Sequence, residues 1–317
     1  MKAVYRQKII RAGNTVEVEN TYPTRFGDML TRRKHVKGTP EAMQAYNEEL
    51  AVRKLTRLIN ENFITDDWFV TFHYENHNRP KDYKTACAQL CTFMRKLKKL
   101  YEEWGIGFKY IKRTAYGERG GIHHHVILPQ GKRFKEISSL WKQFVKATMD
   151  ARPPDCRALY DSGEYSSLAA YIVKQPMADE NKGYVKKWIG SRNLRKPKEE
   201  PPRDIYEIKW KEPPVARPGY YIDKDSVRAG CNPVNGRPFL FYRMVKLPPD
   251  FVCYNEEGKR LYGSEAIKYF RNKNKNWIKE NFWTEICSEG EVVFNAECGI
   301  HNSELIESGG YNNATKK

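Results

Sequence analysis

No stretch of this 317-residue chain approaches the ~18 consecutive apolar residues that a membrane-crossing helix needs, which excludes a helical membrane protein. The start, Met1-Lys2-Ala3-Val4-Tyr5-Arg6, lacks the continuous apolar core of a secretory signal, so the expected location is the cytoplasm. No Cys-x-x-Cys pair occurs, and the 7 cysteines are an odd number, which argues against a disulfide framework and a zinc ribbon. Cys87 and Cys91, four apart on an expected helix, read as packing residues. No Gly-x-x-x-x-Gly-Lys-Ser/Thr loop is present, so a built-in helicase is not expected. There is no internal repeat. Acid is scarce as well: 39 Asp and Glu face 56 Lys and Arg, a net charge of +17, and a polyanion such as nucleic acid is the natural partner. From Thr284 to Gly310 the scarcity reverses, with glutamates and no lysine or arginine, so the body is more basic than the total implies.

Apolar residues make up 40% of the chain, enough for one large domain or two smaller ones. After a basic lead (Arg25, Arg32, Arg33, Lys34, Lys37), Thr39-Pro40-Glu41 reads as an N-cap, a first-turn proline and an early acid opening a helix to about Asn60. Asp67 to Tyr74 is aromatic and β-branched and fits a buried strand. From Asp82 to Trp104, Ala86, Leu90, Phe93, Met94, Leu97, Tyr101 and Trp104 recur at helical spacing, and Gly105 follows as a stop. Phe108 to Arg113 then reads as a strand that pairs, through a turn over Gly117 to Gly121, with the strand after it. Helices are expected over Phe134 to Met149 and Ser166 to Gln175, with a short strand over Arg157 to Tyr160 between them. The run Lys196 to Pro202 reads as a connector, Tyr206 to Trp210 as a strand, and Val234 to Tyr242 as a turn into a strand; Lys268 to Trp277 mixes bases with aromatics. This order predicts an α+β fold, an antiparallel sheet covered by helices.

The most informative stretch is Gly121-Ile122-His123-His124-His125-Val126-Ile127-Leu128. Apolar, β-branched neighbours make it a buried strand, on which side chains two apart share a face. His123 and His125 therefore point together into one site while His124 points away, a geometry that suits a metal ion. The plainer reading is a pair of hydrogen-bonded core histidines, and a metal site needs a further donor. Glu118, in the preceding turn, is the nearest carboxylate, or else a solvated turn residue. Two imidazoles and a carboxylate suit Mg²⁺ or Mn²⁺ with exchangeable waters, or Zn²⁺. Further on, Tyr171 and Lys174 stand three apart on one helix face. A phenol is a poor nucleophile at neutral pH, and a nearby ammonium or metal lowers the cost of forming phenolate. The plainer alternative is a packed tyrosine beside a snorkelling lysine.

Taken in order, Trp68-Phe69-Val70-Thr71-Phe72, Ile122 to Leu128 and Tyr171-Ile172-Val173-Lys174 resemble the three motifs of the HUH endonuclease superfamily. The likeness is to the rolling-circle replication initiators of small phages, plasmids and integrated bacterial elements. Accessory stretches, Asn60 to Phe63 with Asp66-Asp67, and Ser191 to Leu194, are similar to replication-associated proteins of bacterial mobile elements. Two positions depart from the pattern: the middle residue of the metal motif is His124 where an apolar residue is usual, and Thr114 and Ala115 occupy the place of the acidic ligand on the neighbouring strand.

The resemblance implies an RRM- or ferredoxin-like palm and nicking of single-stranded or hairpin origin DNA inside a bacterial host. A divalent metal, Mg²⁺ or Mn²⁺, would sit on His123, His125 and Glu118, and Tyr171 would attack phosphorus with Lys174 assisting. The product would be a 5′-phosphotyrosine and a free 3′-hydroxyl for a host polymerase, with a host helicase. A single tyrosine leaves a second protomer or water to finish the cycle, so a homodimer at termination is one expectation. Lys112, Arg113, Arg119 and Arg192 are expected to contact the nucleic acid. The implied organisation is an N-terminal lead and helix over 1–64, the catalytic domain over 65–210, accessory strands over 211–250 and a C-terminal segment over 251–317. Tyr160 and Tyr165 are weaker alternatives to Tyr171. A non-catalytic sequence-specific DNA-binding protein, or a transposase or relaxase of the same superfamily, are the rival readings.

Overall fold

The computed structural model describes residues 5–21, 40–117, 120–160, 163–176, 186–205, 213–231 and 238–286. Glu118, Arg119, the expected strand Tyr206 to Trp210, the basic lead before Pro40 and the acidic tail lie outside them. The chain is α+β with antiparallel sheets, in keeping with an HUH endonuclease-like fold. It divides into two units, one formed by residues 10–15 and 39–199 and the other by 1–9, 16–38 and 200–317. Among the described residues no helix is long and apolar enough to cross a membrane.

The first of these units carries the histidines. Its helices are α1 (Pro40–Asn62), α2 (Tyr83–Trp104), α3 (Phe134–Val145) and α4 (Ser166–Lys174). Its sheet is built from β3 (Trp68–His73), β4 (Ile111–Tyr116), β5 (Ile122–Leu128), β6 (Asp155–Ala158) and β7 (Ile189–Gly190), in the antiparallel order β6-β3-β5-β4-β7. Alternation along the strands sends the two faces to different helices. Val70, Phe72, Val126 and Leu128 pack with α2 and α3, where Phe72, Phe93 and Trp141 form an aromatic knot with ring centroids 4.8 to 5.1 Å apart. Ile111 and Ile127 on the opposite face pack with Leu55, Ile59 and Phe63 of α1 and Ala169, Ile172 and Val173 of α4. All seven apolar positions read on α2 are buried, the Asp82 carboxylate accepts the Thr85 amide at its start, and Gly105 ends it in the left-handed conformation.

The accessory polar stretches prove to be joints of this unit. Asn62 binds Arg195 twice through its side chain, donating to the carbonyl and accepting the amide, each at 2.8 Å. Asp67 accepts the amides of Ile64 and Gln130, Asn60 accepts that of Tyr165, and Ser191 pairs with Tyr110. Gly13 turns at a φ of 54° against the end of α1, where a Cβ would stand 1.9 Å from the Asn60 carbonyl oxygen.

The second unit is organised by strands that patterning alone passes over: β1 (Tyr5–Ala12), β2 (Thr15–Thr21), β9 (Arg203–Ile205), β10 (Tyr220–Cys231) and β11 (Pro238–Lys246). The order is β10-β11-β2-β1, with β9 beside β1. The expected connector at Lys196 to Pro202 carries β8 (Lys198–Glu199), which pairs with Ile10 and Arg11 of β1. A hairpin of β12 (Val252–Tyr254) and β13 (Arg260–Tyr262) precedes α5 (Gly263–Ile286). Within the sheet, buried Arg243 bridges Glu17 at 3.1 Å and Asp223 at 3.5 Å.

Candidate active site

Pairing in the first sheet decides what surrounds the histidines. On β3, His73 lies opposite His123 and Thr71 opposite His125; on β4, Ala115 and Arg113 occupy the matching positions. All of these face α1 and α4. The two Nε2 atoms of His123 and His125 are 3.0 Å apart. Two nitrogens about 2.1 Å from one ion and at right angles about it stand about 3.0 Å apart, so the spacing fits a divalent cation. The carbonyl of Gly121, 3.3 Å from His123 Nδ1, can only accept, which leaves the ring proton on Nδ1 and the lone pair on Nε2. His125 Nδ1 meets the Thr71 hydroxyl at 3.2 Å. Burial holds the His123 imidazole below its ordinary pKa of 6.5, and burial followed by the charge of His123 pushes His125 down to about 3. Both rings are thus neutral, the form in which imidazole ligates.

His124 points to the other face and is fully buried. Its Nδ1 lies 2.9 Å from the Thr114 hydroxyl and its Nε2 2.9 Å from the Tyr74 hydroxyl. Both ring nitrogens are satisfied inside the α2/α3 layer, which is how a histidine occupies a position where apolar residues are usual.

Helix α4 carries Tyr171 to the histidine pair. Its ring stands 5.2 Å from that of His125 and 6.0 Å from Phe69, edge-on to both, and it is 48% exposed while its neighbours Ile172 and Val173 are buried. Lys174, one turn on, is exposed. Tyr165 is buried and donates to the Tyr160 carbonyl. Sequence reasoning missed Gln175, four residues beyond Tyr171. Its Nε2 donates to the Tyr171 carbonyl at 3.2 Å, and its side-chain amide hydrogen-bonds to both His123 and His125, favouring their protonated forms as an acceptor oxygen does. The only sequence signal was that spacing of one helical turn.

Among the described residues no three His, Cys, Asp or Glu gather into a metal site. Glu118 lies outside them, as does Arg119. Gln175 therefore offers the nearest described oxygen to the imidazole pair. At the other end of the pair from Tyr171, the ring of His73 lies 6.1 Å from that of His123. Its Nε2 meets Asp155 at 2.9 Å, and Asp155 takes a second bond from Arg152 at 2.7 Å, a constellation the sequence reading also missed.

Two of the expected nucleic-acid contacts need correction. Lys112 is 6% exposed and faces α2, donating to the Cys91 sulfur; Arg113 is 3% exposed and faces α4. The Arg113 guanidinium donates to the Gln175 carbonyl at 2.7 Å and to the Lys187 carbonyl, so it clamps the end of the tyrosine helix to the sheet. A strand buried on both faces leaves neither cation for DNA. Arg192 is exposed on the turn after β7.

Residues 67–176 match the family of replication-associated proteins typified by ORF2 and the gene 2 protein. The match begins just ahead of β3 and ends just past α4, so it contains every residue of this site. No curated protein and no solved structure matches the chain.

Proposed function

We propose, for a chain that residues 67–176 place with the rolling-circle replication initiators, that it starts replication by nicking single-stranded origin DNA with Tyr171 as nucleophile. The observation that carries this reading is the Tyr171 ring 5.2 Å from His125, beside two neutral imidazoles whose Nε2 atoms are 3.0 Å apart. His123 and His125 hold a divalent cation, Mg²⁺ or Mn²⁺, whose chemistry is to polarise the phosphoryl oxygen and offset charge at phosphorus. Gln175, or Glu118 in the adjoining turn, completes the donor set. The Tyr171 oxygen attacks in line: its bond to phosphorus forms as the bond from phosphorus to O3′ breaks. The phenolic proton leaves to solvent, and the departing oxygen takes one from solvent, giving a 5′-phosphotyrosine and a 3′-hydroxyl. Lys174 orients the phosphate from the next turn of α4, and Arg192 meets the strand. A host polymerase extends the hydroxyl on template opened by a host helicase. Water or Tyr171 of a second protomer resolves the covalent intermediate.

The test is incubation with a randomised single-stranded DNA library and Mn²⁺, followed by denaturing electrophoresis and sequencing of DNA that remains attached to protein. A covalent species lost in Tyr171→Phe and with chelator is expected. DNA that is bound but never attached, by wild type as by the variant, would replace this reading with a non-catalytic DNA-binding protein.

A further inference from the structure

The run Lys268 to Trp277, with bases and aromatics interleaved, falls in α5, outside the matched segment and in the unit without the histidines. The helix separates the two kinds of residue. Inward, Phe270 sits edge-on to Tyr221 and Phe251, each at 5.2 Å, and Ile278 and Trp277 join the core of the sheet. Asn274 pairs with both backbone groups of Ile222 on β10, at 2.9 and 3.0 Å, and Arg271 donates to the Tyr220 carbonyl. These bonds fix the helix rotation. Outward, Lys268, Asn272, Lys275 and Lys279 are all exposed. At 3.6 residues per turn they fall within an arc of about 60°, over a length of about 17 Å.

Solvated helix faces ordinarily mix signs, often as pairs one turn apart. The exposed face of α2 does so, with Lys98 3.4 Å from Glu102. From Ala266 to Lys279, by contrast, α5 carries no acid, and among the described residues none of the three lysines makes an ion pair. Lys273 is exposed beside the stripe, and Lys224 lies over the Trp277 ring at 4.0 Å, so neighbouring groups add to the positive field. A helix with a narrow cationic stripe and an amide in its middle suits the major groove of duplex DNA, about 12 Å wide and walled by phosphates. We propose that this face of α5 binds double-stranded DNA, with Lys268, Lys275 and Lys279 on backbone phosphates and Asn272 toward base edges. The assignment gives the unit outside the family match a role in holding origin duplex, and it stands independently of Tyr171.

The experiment uses the full chain and a fluorescent mixed-sequence duplex of about three helical turns, with binding followed by anisotropy over a range of salt. In the triple variant Lys268→Gln, Lys275→Gln, Lys279→Gln, the slope of log affinity against log salt should flatten by about 2.7, and affinity near physiological salt should fall at least about tenfold. The triple variant Arg95→Gln, Lys96→Gln, Lys99→Gln removes the same charge from exposed positions on α2 and should bind within about twofold of wild type. Equal losses in both variants would reduce the effect to net charge and overturn the proposal, as would an unchanged slope in the α5 variant. A loss confined to single-stranded probe would overturn it too. Attachment of single-stranded DNA to Tyr171 should persist in the α5 variant, so failure of this inference and failure of the cleavage reading are told apart.

Discussion

Acid should weaken this protein through a histidine that takes no part in its chemistry. His124 is held neutral between the hydroxyls of Thr114 and Tyr74, and burial pushes its pKa from 6.5 down to about 3, with the charges of His123, Lys112 and His125 acting in the same direction. Because the folded value lies below the unfolded one, the stabilisation is complete above pH 6.5 and is lost as pH falls toward the folded value. Each unit of pH over that window removes about 1.4 kcal/mol, so a shift from about pH 7.5 to about pH 5 should cost about 2 kcal/mol through this group alone. Replacing His124 with glutamine supplies a donor and an acceptor for the same two hydroxyls but cannot titrate. Urea denaturation of both proteins at the two pH values isolates the effect, since the titration of His125 is common to both and cancels. The variant should be about 1 kcal/mol weaker at the higher pH, from imperfect hydrogen-bond geometry, yet lose about 2 kcal/mol less on acidification. An equal acid loss in the two proteins would refute the argument that His124 is neutral by burial.

Two further outcomes follow from the site. Gln175→Ala should weaken Mn²⁺ binding, read from the free-ion electron paramagnetic resonance signal, by about tenfold, and Gln175→Glu should tighten it by adding a charge; an unchanged affinity in both, with loss in Glu118→Gln, would move the third donor to the turn. Arg113→Met removes the clamp on the end of α4 without touching substrate, so the single-turnover rate of DNA attachment should fall by about 10- to 100-fold while single-strand affinity stays within about twofold. A fall in the amplitude of that reaction at unchanged rate would instead mean that fewer molecules are folded.

The parts of this fold that patterning captures are those whose partners are close in sequence or whose burial is complete. Helix α2 shows its whole inward face at helical spacing, and β3 and β5 are apolar on both sides because helices cover both sides of the sheet. Strands β1 and β2 escape notice because charges interrupt them, and the reason such charges are tolerated lies far away: Glu17 is buried against Arg243, 226 residues later. The same logic explains the misplaced cations. Arg113 reads as a DNA contact because an arginine in a basic chain ordinarily faces water, and nothing local reveals that the carbonyls of Gln175 and Lys187, 62 and 74 residues on, will take its guanidinium. For the site, the alternation of β5 is sufficient to separate His123 and His125 from His124, and the helical turn is sufficient to place Lys174 beside Tyr171. What local periodicity cannot supply is the pairing of β3 against β5, which brings His73 opposite His123, and the docking of α4, which turns Gln175 toward both imidazoles. The histidine pair is written in one strand; its surroundings are written in the order of the strands around it.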